Sequence, residues 1–180
     1  MKVIIIRHGT VAYDWKRAYS SNEFDRACFQ YDKAPIMRMS YDIPFLDVQQ
    51  IYVSTLPRSR DTAIEIFGKK DFISTELVNE VPLGSSFNSK IRLPLWFWNI
   101  TGRIQWFFNT GRQAESRKET IVRARKFVNR LNTSGCDSAV VTHGFYMHAL
   151  VKQMKKAGFK ISKTIRNYKN GDYVVAERIA

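Results

Sequence analysis

The apolar run Val3-Ile4-Ile5-Ile6 ends in Arg7-His8-Gly9, and a second run, Val140-Val141-Thr142, ends in His143-Gly144. Short β-branched runs bounded by glycine read as buried strands. Each delivers a histidine to a strand's carboxyl end, where open α/β sheets place their ligands. Arg7 beside His8 sets an anion clamp next to a nucleophile. A single strand-end histidine is most simply a loop residue bonded to backbone; two matched ones among three histidines argue for a site. His148, five residues after His143, lacks this context and reads as structural.

Three further strands are predicted at 50–54, 71–75 and 173–177, besides those at 2–6 and 138–142. Helical patterns lie between them. Pro57 opens one helix and Gly68 closes it. Another runs from about 115 to 131, with Ile121, Ala124, Val128 and Leu131 on one face. A third follows His143, carrying Met147, Leu150, Val151 and Met154, and a short helix is expected over 23–31. Strands alternating with helices predict an α/β chain, a three-layer α/β/α sandwich around a mostly parallel sheet. Neither repeat nor linker divides it, so one domain over 1–180 is expected, with a helical or loop cap insertion at about 84–113.

The 29 Lys and Arg against 16 Asp and Glu give a net charge of +13, which favours anionic partners. Charge alone does not choose among phosphorylated small molecules, nucleic acid and acidic membrane surfaces. Cys28 and Cys136 lack metal-site or framework spacing and read as free thiols of a reducing cytoplasm. The apolar residues before Arg7 are too few for a signal-peptide core, and the aromatic stretch 91–108 is too broken for a transmembrane helix. A cytoplasmic location is expected.

A second block, Ser54-Thr55-Leu56-Pro57-Arg58-Ser59-Arg60-Asp61-Thr62-Ala63, follows the strand at 50–54. Together with Arg7-His8-Gly9 and Thr142-His143-Gly144 it resembles the histidine phosphatase superfamily, the phosphoglycerate-mutase-like fold. The resemblance implies a four-residue phosphate pocket of Arg7, His8, Arg58 and His143. It assigns His8 as the nucleophile that forms a phosphohistidine, with Arg7, Arg58 and His143 holding the phosphoryl oxygens. Arginine suits that task through its planar, charge-assisted fork. The arginines should also disfavour protonation of His8. Arg60 reads as a solvated helix charge.

The leaving group and the attacking water both need a general acid/base. The superfamily often places a glutamate after the third strand, where Glu76 and Glu80 stand. Glu80 fits better, although the mutase-type Gly-x-Trp-Glu-Gly continuation is absent and a plain surface glutamate is the competing reading. Thr10 follows Gly9 directly, and no asparagine stands in the following loop as the family's extra phosphate contact. Asp14 would repel phosphate, leaving Lys16 or Arg17 as replacements. Glu115-Ser116 resembles a family segment and is given no catalytic role.

The resemblance does not account for Trp96-Phe97-Trp98 or Trp106-Phe107-Phe108. Packing within a cap is the simplest reading of these aromatics. A specificity lid of Arg92, Trp96, Trp98, Arg103 and Trp106, rimmed also by Arg112, is the second, and contact with a membrane surface the third. The lysines between 152 and 163 read as a solvated helix side.

The expected activity is hydrolysis of phosphate monoesters by a metal-independent histidine acid phosphatase-type enzyme that needs no cofactor. Its expected partner is a small phosphorylated anionic substrate, with nucleic acid or a membrane surface less favoured. A phosphoglycerate-type mutase or a protein-phosphohistidine phosphatase is the alternative within enzymes. A catalytically weak phospho-ligand or polyanion binder is the alternative outside them.

Overall fold

A computed structural model describes residues 1–44, 47–163 and 167–178. The central sheet has six strands in the order β4-β3-β6-β1-β8-β7, formed by β1 (Lys2–Arg7), β3 (Gln50–Val53), β4 (Ile73–Ser74), β6 (Ser138–Thr142), β7 (Lys160–Ile161) and β8 (Tyr173–Glu177). The first four in that order run parallel; β8 is antiparallel to β1 and to β7. A small ribbon joins β2 (Ala18–Tyr19) to β5 (Leu93–Pro94). The helices are α1 (Ser21–Lys33), α2 (Pro57–Phe67), α3 (Leu95–Phe108), α4 (Arg117–Ser134) and α5 (Gly144–Lys156).

The β-branched run of β1 is buried on both faces. Val3 and Ile5 pack with Val140 against Phe127 and Leu131 of α4 and Met147 and Leu150 of α5. Ile4 and Ile6 pack with Val53, Val141 and Ala63 of α2 on the other side. The chain is therefore an α/β sandwich with a mostly parallel sheet. Removing one such isoleucine to alanine should cost about 2–5 kcal/mol, because the covered sheet leaves little room to collapse.

Local sequence explains the element ends. Ser20 and Glu23 form a capping box, so α1 starts earlier and runs longer than the expected 23–31. Ser116 and Glu119 do the same for α4. The strand expected over 71–75 is cut to Ile73–Ser74, because the Thr75 side chain caps a short 3-10 turn over Glu76–Val78. Within the region expected as an insertion, α3 is a continuous helix. It lacks a side-chain cap and ends at Asn109 in the left-handed conformation. Its inner side seats Trp98 against Phe24 of α1, in a third apolar cluster with Tyr19 and Ala27.

Candidate active site

Strand register builds the centre of the site. Arg7 pairs with Thr142 across β1 and β6, and the His8 backbone N–H donates to Thr142 O at 2.9 Å. The next residues, His8 and His143, therefore leave the sheet side by side, with ring centroids 5.0 Å apart. Gly144 follows, and a side chain there would come within 2.9 Å of Arg7 Nε. The glycine thus makes room for the Arg7 guanidinium at the start of α5.

His8 is 2 % exposed. Its Nδ1 lies 2.7 Å from Gly9 O, which can only accept, so Nδ1 carries the proton and Nε2 keeps its lone pair. Burial lowers the His8 pKa to about 3, assisted by Arg58 and then Arg7 and opposed by the Gly9 carbonyl. The arginine effect expected from sequence is thus secondary to desolvation. Asn170, in the turn before β8, donates to His8 O and Gly9 O at 3.1 and 3.0 Å.

Arg58 is drawn in from the first turn of α2 and is 1 % exposed. Its Nε donates to His143 Nδ1 at 3.2 Å and its Nη1 to Asp32 Oδ1 at 2.9 Å, while Nη2 has no protein partner among the described residues. Because His143 Nδ1 accepts, its Nε2 carries hydrogen and donates to Ser54 Oγ at 2.7 Å, with Ser59 Oγ at 3.3 Å. Both ring nitrogens of His143 are engaged by protein, and burial holds its pKa well below the usual histidine value, helped by His8 and Arg58. Arg7 Nη1 donates to Tyr168 O, and Arg7 Nε is buried with no acceptor among the described residues.

Arg7, His8 and Arg58 line a cavity of about 410 Å³ together with Asp32, Glu80 and Arg103, whereas His143 is fully buried and is not part of its wall. Glu80 accepts from the backbone N–H groups of Val81 and Tyr146, at 2.9 and 3.0 Å, and from Phe145 N at 3.4 Å. Its carboxylate is thereby fixed at the N-terminus of α5 and faces the cavity. Glu76 borders the same cavity but is exposed. Glu115, given no role above, forms part of the wall and is paired bidentately with Arg123. The remaining Arg123 nitrogen donates to the carbonyls of Glu76, Leu77 and Asn79, which ties this wall together.

Arg103 borders the cavity, its guanidinium 3.8 Å over Phe145 and donating to Val81 O. The other expected lid residues lie elsewhere. Arg92 is exposed and grips Glu23. Trp96 is exposed, Trp98 is fully buried with its indole N–H on Tyr19 O, and Trp106 donates to Thr120 and packs on Phe145. A helix turns closely spaced aromatic side chains to different neighbours around its circumference, so sequence proximity does not make one lid. Lys16 and Arg17 do not border the cavity; Trp15 and Tyr31 do, and Tyr31 lies 5.0 Å under the Arg58 guanidinium.

Asp32, Tyr31 and Asn170 escaped the sequence reading. The first two lie on the α1 segment, whose polar and aromatic make-up was the only signal. Asn170 precedes Gly171, whose φ of 81° marks a tight turn returning the chain to β8. Cys28 also borders the cavity, but burial with Asp32 and Asp25 pushes its thiol up to about 12, so it stays protonated. Among the described residues, no group of three or more His, Cys, Asp or Glu side chains could hold a metal ion, and no helix is long and apolar enough to cross a membrane.

The family model of the histidine phosphatase superfamily (branch 1) matches residues 3–178. A search of curated proteins gave no match. Among solved structures, a mycobacterial glucosyl-3-phosphoglycerate phosphatase is similar at 17 % identity and a TM-score of 0.61, covering 97 % of this chain and 88 % of its own. A mutant phosphoserine phosphatase from Entamoeba histolytica, in complex with phosphoserine, is similar at 15 % identity and a TM-score of 0.53, covering 86 % and 80 %. At these identities the likeness is one of fold.

Proposed function

Because this chain belongs to the histidine phosphatase superfamily, we propose that it hydrolyses phosphate monoesters through a phosphohistidine on His8. The observation that carries the reading is the His8 ring. Gly9 O accepts a hydrogen bond from Nδ1–H at 2.7 Å, and the depressed pKa keeps Nε2 unprotonated at neutral pH.

In the proposed reaction, His8 Nε2 forms a bond to phosphorus as the ester P–O bond breaks. The departing alkoxide takes a proton from Glu80. Water then attacks the phosphohistidine, Glu80 accepts its proton, and the N–P bond breaks to release phosphate. Arg58 Nη2 and Arg7 Nε, both without protein acceptors among the described residues, supply donors for the phosphoryl oxygens. Such preorganised charge is worth most in a site shielded from water. His143 acts through Arg58 Nε in this arrangement and aims its guanidinium.

The substrate class is a small phosphorylated anion; a cytoplasmic setting suits the free thiols of Cys28 and Cys136. Nothing in the proposed steps calls on a metal or cofactor. Turnover of a panel of sugar phosphates, phosphoglycerates, nucleotides and phosphopeptides, with p-nitrophenyl phosphate as a generic ester, tests the reading. Hydrolysis abolished in His8→Ala supports it. Tight binding of these esters without turnover would instead identify a phospho-ligand binder.

A further inference from the structure

The outer side of α3 is unusual for a surface helix. Trp96, Ile100, Ile104, Phe107 and Phe108 are between 47 % and 66 % exposed. Spaced three or four residues apart, they form one stripe along the helix, opposite the buried Trp98 and Gly102. Beside the stripe runs a groove of about 630 Å³ bordered by Ile100, Ile104, Phe107, Phe108, Trp106 and Phe145. An apolar patch of this extent on a helix marks an interaction surface.

Charge indicates what covers it. Between Glu80 and Glu115 the sequence contains no Asp or Glu, but it carries Lys90, Arg92, Arg103 and Arg112. Lys90, Arg112 and, just beyond, Lys118 are exposed, and the Arg117 guanidinium lies 4.3 Å over the Phe107 ring. Two carboxylates of α1 reach this segment: Glu23 is neutralised by Arg92, and Asp25 is turned to Ser85, accepting from its backbone N–H and its hydroxyl. The whole chain carries +13, so a second copy would bring like charge to the contact. A face of Trp, Phe and Ile edged by Lys and Arg fits the interface of an anionic bilayer, where apolar side chains enter the acyl boundary and cations meet headgroups.

We propose that α3 is an interfacial docking element that seats this protein on anionic lipid surfaces. Asn99 and Arg103 border both the groove and the His8 cavity. Docking would therefore bring the mouth of the candidate active site to the bilayer surface.

Sedimentation of the full chain with phosphatidylcholine vesicles, with and without phosphatidylserine, tests this directly. Wild type should bind the phosphatidylserine vesicles, less so at high salt, and much less without the anionic lipid. The variant Ile104→Ser/Phe108→Ser should bind about tenfold or more weakly, with an unchanged circular dichroism spectrum. A second measurement does not depend on that variant folding: brominated lipid in anionic vesicles should quench wild-type tryptophan fluorescence, and Trp96→Phe should remove most of the quenched component. Three results would overturn the proposal: no binding to anionic vesicles, equal binding by the serine variant, or a wild-type dimer that the variant dissociates while vesicles are ignored.

Discussion

Asp32 Oδ1 lies 2.9 Å from Arg58 Nη1, so a carboxylate of α1 holds one donor of the arginine that faces the candidate phosphate position. Arg58 is almost fully buried whereas Asp32 is 48 % exposed, and water can take over the carboxylate when an anion arrives. A phosphate held by the free Nη2 meets the Asp32 carboxylate beside it as a like charge on the same guanidinium. Asp32→Asn should therefore tighten inhibition by vanadate or phosphate. The gain should be about two- to fivefold, since a half-exposed pair is well screened. Weaker inhibition would mean that Asp32 supports the ligand rather than opposing it.

Arg58 itself should matter far more. Arg58→Ala removes both the free Nη2 donor and the Nε bond to His143. Turnover should fall by about two orders of magnitude or more, the usual cost of losing a charge-assisted clamp on developing charge. Arg60→Ala is the control, because Arg60 is exposed on the same helix. Thermal midpoints of both variants, measured alongside, separate loss of the clamp from loss of the buried network. A reversed order between the two would misplace the phosphate site.

Much of this arrangement was legible in the sequence, for local reasons. The β-branched runs before His8 and His143 carry their own burial signal, and strand pairing then dictates that two strand-end histidines meet. Pro57 and Gly68 likewise mark the ends of α2, whose first turn carries Arg58. The cap was harder to read. α3 sets its aromatic side chains all round its circumference, between Asn99, Thr101, Arg103 and Gln105, so periodicity could not say which of Trp96, Trp98 and Trp106 turns inward, and only packing against Phe24 settles it for Trp98. Asp32 and Asn170 reach the site from distant segments, through contacts that no local pattern encodes.

Glu80→Gln keeps the side chain's shape but cannot deliver a proton. Hydrolysis of an alkyl phosphate should slow much more than formation of phosphoenzyme from p-nitrophenyl phosphate, whose leaving group departs unprotonated. Steady-state turnover of the aryl ester can still fall, because the same carboxylate activates water in the second step. Burst kinetics resolve the two steps, with exposed Glu76→Gln as the control. Equal, minor losses on both substrates would transfer the role to another carboxylate of the cavity.

Acid should destabilise the fold through the buried histidines. The unfolded chain protonates His8 near the ordinary histidine value of 6.5, whereas the folded protein does so only at about 3. Between those values the unfolded state binds more protons, so stability rises with pH and is lost as pH falls through that window. His143, lowered in the same direction, adds to the effect. Urea midpoints should drop on moving from neutral pH towards pH ~5, with a limiting slope of about 1.4 kcal/mol per pH unit for each histidine. His8→Asn should flatten the slope; an unchanged slope would mean that other groups set it.

Chemical trapping of the intermediate tests the central claim most directly. Rapid quench of the enzyme with a phosphate-labelled ester should yield a protein adduct that is labile in acid and stable in alkali, as a phosphoramidate is. Peptide mapping should place it on His8, and His8→Ala should neither form the adduct nor turn over substrate. A turnover-competent His8→Ala enzyme, or label carried on any other residue, would contradict the account.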